Sequence, residues 1–131
     1  MLFIQLFAIA IIIFFAVDMF WLGFVAKKFY NDQLGFLFRD KINWWAAIIF
    51  YTIFVIFLVY FVILNAIANQ SIGQAALNGL LFGFITYATY DLTNLSTLKN
   101  WPLKVTIVDM IWGALLSMIV SVSTYYIYFI F

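Results

Sequence analysis

At 131 residues the chain has the length of one domain. It is 69% hydrophobic and only 8% charged, with a mean hydropathy of +1.17; a soluble domain carries roughly a quarter charged residues, so a water-soluble fold is excluded. A net charge of +1 without a basic cluster excludes nucleic acid as a partner, and the absence of Cys and His removes disulfides, thiolate chemistry and the usual transition-metal and haem ligands, so no metal or cofactor is expected.

The first element is an apolar run from Leu2 to Ala26, interrupted only by Asp18. A helix of about 20 apolar residues crosses the hydrocarbon core, and this run is long enough. No basic residue precedes it, and Ala8-Ile9-Ala10 lies inside it instead of after it, so it reads as a retained helix and not a cleaved signal peptide. A loop from Lys27 to Asn43 follows, mixing charges with Phe29, Tyr30, Leu34, Phe36, Leu37 and Phe38; it reads as an amphipathic, partly helical connector along the headgroup surface.

Trp44–Ala68 is a second span with no charge at all. After a short uncharged connection, Gln74–Tyr90 supplies a third span, richer in small residues, and Val105–Phe131 a fourth whose one charge is Asp109. The period-two alternation of a barrel strand is missing, so the fold class is an all-α, four-transmembrane-helix bundle forming one domain over residues 1–131. All six basic residues fall in the first and third connections, which the positive-inside rule assigns to the cytoplasm and which leaves both termini outside. Trp44, Trp45 and Trp101 at one interface, and Tyr125, Tyr126 and Tyr128 at the other, fit aromatic belts.

Lipid supplies no hydrophobic drive for helix association, so small residues mark close contacts. Gly79 and Gly83, continued by Tyr87 and Asp91, form one stripe of period four; Gly113, Ser117 and Ser121 form another. These stripes are expected to face neighbouring helices, and each other.

Carboxylates within a membrane face a bundle interior or a cavity, usually paired. Asp18 lies about 12 Å and Asp109 about 7 Å inside the cytoplasmic end at the helical rise, and Asp91 closes the third span at the same end. Asp32 and Asp40 belong to the basic loop and read as surface charges. The sequence Val17-Asp18-Met19-Phe20-Trp21 recurs as Val108-Asp109-Met110-Ile111-Trp112, with Gly23 and Gly113 following. In antiparallel helices this puts Asp18 level with Trp112 and Asp109 level with Trp21. Two reciprocal indole-to-carboxylate hydrogen bonds are therefore expected, the indole donating and the carboxylate accepting. The segment Tyr87-Ala88-Thr89-Tyr90-Asp91-Leu92-Thr93-Asn94 adds phenols, hydroxyls, a carboxylate and an amide at the membrane boundary, with Thr93 and Asn94 closing the last turn.

The segments Asp18-x-x-Trp21-Leu22-Gly23, Phe50-Tyr51, Tyr87-x-x-Tyr90-Asp91-Leu92-Thr93-Asn94, Trp101-Pro102 and Asp109-x-x-Trp112-Gly113 resemble a bacterial membrane-protein family catalogued as domain of unknown function 2177. The resemblance spans essentially the whole chain. It implies a four-helix, multi-pass protein of the bacterial cytoplasmic (inner) membrane and carries no activity with it.

Three function classes remain. In the first, Asp18, Trp21, Tyr87, Tyr90, Asp91, Thr93, Asn94, Asp109 and Trp112 bind or translocate a proton, cation, lipid headgroup or small polar ligand. In the second, the cluster only locks a structural or accessory subunit of a membrane complex. In the third, paired carboxylates serve an intramembrane lipid-modifying enzyme, for which no nucleophile–base set is recognisable. Transport requires a hydrated route to both faces, an enzyme a pocket open to one leaflet, and a structural role a closed, fully paired cluster. Partners that fit such a chain are the lipid bilayer, further copies of itself or a larger membrane complex.

Overall fold

The first apolar run has no helix breaker before Gly23, and its buried residues Leu6, Ala10, Phe14 and Asp18 recur every four residues, giving α1 (Leu2–Val25) a single inward face. In the computed structural model, which describes residues 1–131, its last five residues, Trp21–Val25, widen into a π-turn closed by the Ala26 N–H donating to the Trp21 carbonyl at 2.8 Å. The chain then bends at Ala26 directly into α2 (Lys27–Leu34) and a single 3₁₀ turn, Gly35–Leu37.

The second span is α3 (Trp44–Ala68), started by the Asn43 side chain accepting from the Ala46 N–H at 3.3 Å and widened by a second π-turn at Val59–Ile63. A tight turn with Gln70 at φ 48° leads to Ser71, whose hydroxyl accepts from the Gln74 N–H at 3.1 Å and starts α4 (Ile72–Thr97). The Gln74 side chain is held in turn by Asn69 at 2.9 Å. Asn100 at φ 63° and Pro102 end one connection and open α5 (Leu103–Ile130).

Two differences from the sequence expectation stand out. The third apolar segment does not stop at Tyr90: α4 continues to Thr97 because nothing before Asn100 and Pro102 breaks it, and the Ser96 and Thr97 hydroxyls donate to the Thr93 carbonyl inside the last turn. Three helices, α1, α3 and α5, are long and apolar enough to cross a membrane, instead of the expected four. α4 has the length, with 26 residues, but its run of Gln, Asn, Thr and Asp lowers its hydropathy. The other boundaries move by a residue or two: the first span ends at Val25 and the fourth covers Leu103–Ile130.

The small-residue stripes on α4 and α5 face one another. A Cβ added at Gly79 would sit 2.8 Å from Ser121 Oγ and 2.9 Å from the Ser117 carbonyl. One added at Gly83 would collide with the Gly113 backbone, and one at Gly113 with the Tyr87 ring. Each step of four along α4 thus meets a step of four back along α5, which fixes their antiparallel register. One further step sets Asp91 beside Asp109.

The two ends of the bundle differ. At the end bearing both termini, α1, α3 and α5 close over a core that includes Leu6, Ala10, Phe14, Val55, Leu58 and Val120. At the opposite, basic end, the first turns of α3 splay outward, and every residue from Lys41 to Phe50 except Ala47 is exposed. There α2 folds under the bundle, burying Tyr30 and Leu34 against Ala26, Trp101 and Val105. Trp44 and Trp45 are exposed, whereas Trp101 is buried, its indole N–H donating to Thr106 Oγ1 at 3.0 Å, so it is not the surface residue that an aromatic belt requires.

Candidate functional site

Asp18 extends the apolar stripe of α1 by one step, so its carboxyl enters the bundle and is 4% exposed. Both of its oxygens are satisfied. The Trp112 indole N–H donates to Oδ1 at 3.1 Å, and the Tyr51 hydroxyl donates to Oδ2 at 2.9 Å. The first of the two expected indole–carboxylate pairs is thus present, and α1, α3 and α5 are tied at one point.

The second pair forms differently. Trp21 does not reach Asp109; its indole N–H donates to the Tyr30 hydroxyl at 3.3 Å, and Tyr30 donates to Asp109 Oδ1 at 2.9 Å. The reason is geometric. The Trp21 and Trp112 rings stack at 4.3 Å with 7° between their planes, which holds both indoles in one plane direction, and α2 inserts Tyr30 between Trp21 and Asp109. Burial first, and then the charge of Asp109, push the Tyr30 phenol above its ordinary value, so it stays protonated and donates.

Asp91 contrasts with both. It is 0% exposed, lies beside the Asp109 carboxyl, and no N–H or hydroxyl donor reaches either of its oxygens. A buried, unpaired carboxylate is costly, and two like charges in a low-dielectric setting repel. The pair is relieved either by sharing one proton or by a cation held between its members. Both carboxyls line a cavity of about 530 Å³ that has Lys27, Tyr30, Asn31 and Trp101 among its walls and opens where α3 splays away. Two smaller cavities of about 320 Å³ and 180 Å³ adjoin at Asp109, with Tyr87 lining both.

The other expected site residues divide. Tyr87 packs its ring over Gly113 and near Phe54, at 6.2 Å, and lines the smaller cavities. Tyr90 lines the 530 Å³ cavity and meets the Trp101 ring edge-on at 6.0 Å, although 57% exposed. Trp21 is joined to the cluster through Tyr30. Thr93 is exposed, and Asn94 serves the helix end, its carbonyl accepting from the Leu98 N–H at 2.9 Å; neither lines these cavities. Tyr30 and Tyr51 are the residues that the sequence reading did not place in the site. Tyr30 sits midway between the buried Ala26 and Leu34 at period four, and Tyr51 carries one of the few hydroxyls of an otherwise apolar span, which were the available signals.

No group of three or more His, Cys, Asp or Glu side chains gathers in the fold. The fold and the site define a multi-pass helical membrane protein with a carboxylate and aromatic cluster at one end. Residues 3–126 match the family described as "Predicted membrane protein (DUF2177)", and the chain belongs to that family. No curated protein and no solved structure gives a significant match.

Proposed function

We propose that this protein is a four-span bacterial inner-membrane protein that binds a small ligand carrying a positive charge, held between Asp91 and Asp109 at the cytoplasmic end. The observation that carries this reading is the state of Asp91: fully buried, reached by no N–H or hydroxyl donor, and set beside a second carboxyl, Asp109, that is part-exposed where an open cavity begins.

The orientation follows from the two basic connections, which meet at one end of the bundle through Tyr30 and Trp101. A fourth crossing by α4 is supported by its packing. Thr86 and Thr89 return their hydroxyls to the carbonyls of Phe82, Gly83 and Ile85, Asp91 points inward, and Leu77, Leu81, Phe84 and Ile85 make the outward face. That helix therefore shows lipid a more apolar surface than its composition suggests.

Binding is favoured over translocation because the half beyond the cavity is packed closed. Leu6, Phe14, Leu58 and Val120 close that half, and the hydroxyls of Ser117 and Ser121 are packed against Gly79 and Gly83. The test is thermal unfolding in mild detergent with nonylammonium chloride or nonanol added. The ammonium is expected to raise the unfolding temperature of the wild type and not of Asp91→Asn, while nonanol distinguishes neither. Equal responses to both probes, or an ammonium response that survives Asp91→Asn, would overturn the reading.

A further inference from the structure

The charge pattern around the cavity beside Asp91 and Asp109 is asymmetric. Two carboxyls, Asp91 and Asp109, lie at its floor, whereas Lys27 and Asn31 stand on its exposed rim. Lys27 does not reach Asp91, whose oxygens remain without a partner. An ammonium at the floor and an anionic group at the rim would each meet its complement. The remaining wall is apolar, with Met19 and Leu22 of α1 and Trp44 and Ala47 of α3 on either side of the splayed opening. Such a wall suits hydrocarbon and leads toward the bilayer.

From this arrangement we infer that the ligand is a phospholipid with a primary ammonium next to its phosphate, a phosphoethanolamine headgroup. The ammonium lies between Asp91 and Asp109, the phosphate meets Lys27 and Asn31, and the acyl chains leave past Leu22 and Trp44. The inference rests on the cation-binding reading above and names the class of ligand for the same site.

The choice among cations follows from donor counting. The unpartnered oxygens of Asp91 are acceptors without donors, and a primary ammonium brings three N–H donors. A quaternary ammonium brings none and would leave both oxygens orphaned. A proton would neutralise the pair but leave a cavity of about 530 Å³ unused, a volume within the range of about 300–1,000 Å³ usual for organic ligands. A hard divalent ion needs six or more oxygens, and only two carboxyls converge here.

The test is retention of added lipid by the detergent-purified protein, read by native mass spectrometry. Three single-chain lipids of equal length are compared: lysophosphatidylethanolamine, lysophosphatidylcholine and lysophosphatidylglycerol. The wild type is expected to retain the ethanolamine lipid ~10-fold better than either other, a difference of about 1.4 kcal/mol. Asp91→Asn should lose that preference. Lys27→Gln, at an exposed position, should weaken retention of the ethanolamine lipid. Equal retention of all three lipids, or an ethanolamine preference that persists in both variants, would overturn the inference. If nonylammonium still binds through Asp91 without any headgroup preference, the lipid assignment fails and the cation site stands. If no ammonium compound binds the wild type, both fail together.

Discussion

The two ends of this bundle use the same helices for different purposes. Toward the termini, α1, α3 and α5 bring Leu6, Phe14, Val55, Leu58 and Val120 into full burial, and α4 is locked to α5 by glycines that admit no added carbon. Toward the basic end the same α4–α5 register continues, but its next residues are Asp91 and Asp109 instead of Gly and Ser. There α3 leans away and α2 tucks beneath. Packing that is ordinary at one end thus positions an expensive pair at the other. Because lipid supplies no hydrophobic drive, this small-residue ladder is the main source of register, and the site inherits its geometry from it.

The comparison can be broken most forcefully at the ladder. Gly83→Leu should be the most damaging single change, since even a Cβ there strikes the Gly113 backbone. A loss of roughly 3 kcal/mol is expected from overpacking, with Asp91 and Asp109 moved out of register. Thermal unfolding gives the first, and lost ammonium response in any folded fraction gives the second. Next comes Phe14→Ala in the packed half. The cavity it leaves between Tyr51 and Phe54 should cost about 3 kcal/mol, whereas Trp45→Ala, whose ring is 78% exposed, should change stability little. Similar losses for both would erase the difference between the two ends.

Smaller effects sharpen it. Tyr51→Phe removes one donor to Asp18 and should cost about 1 kcal/mol in the same assay. Tyr30→Phe removes the donor to Asp109 at similar cost. It should also loosen α2, read as faster amide exchange over Lys27–Leu34 than in Tyr51→Phe.

Much of this architecture was readable from hydropathy. The α1, α3 and α5 boundaries fall within two residues of the apolar runs because lipid imposes length directly. The stripe of Gly79, Gly83, Tyr87 and Asp91 also indicated the α4–α5 contact, since period four is a property of the helix itself. The extension of α4 to Thr97 was less readable: Thr93, Ser96 and Thr97 look like a helix end in sequence, yet two of their hydroxyls fold back onto the helix carbonyls. The Asp18–Trp112 bond followed from depth alone, as both residues sit on spans of known direction. The Asp109 arrangement did not, because Tyr30 comes from a surface helix whose placement depends on the bend at Ala26. Nor could the sequence distinguish a satisfied Asp18 from an orphaned Asp91, since that difference lies in which neighbours arrive.

The contrast between those two carboxyls is the centre of the account, and one measurement addresses it most directly. Asp18→Asn and Asp91→Asn are unfolded side by side in the same detergent without added ligand. Asp18→Asn should be less stable than the wild type by on the order of 1–2 kcal/mol, because a carboxyl bonded by Trp112 and Tyr51 is replaced. Asp91→Asn should unfold at the wild-type temperature or above it, because a repelling, unpartnered group is removed. If Asp91→Asn falls as far as Asp18→Asn, Asp91 is part of the bundle's fastening and the proposed binding site is contradicted.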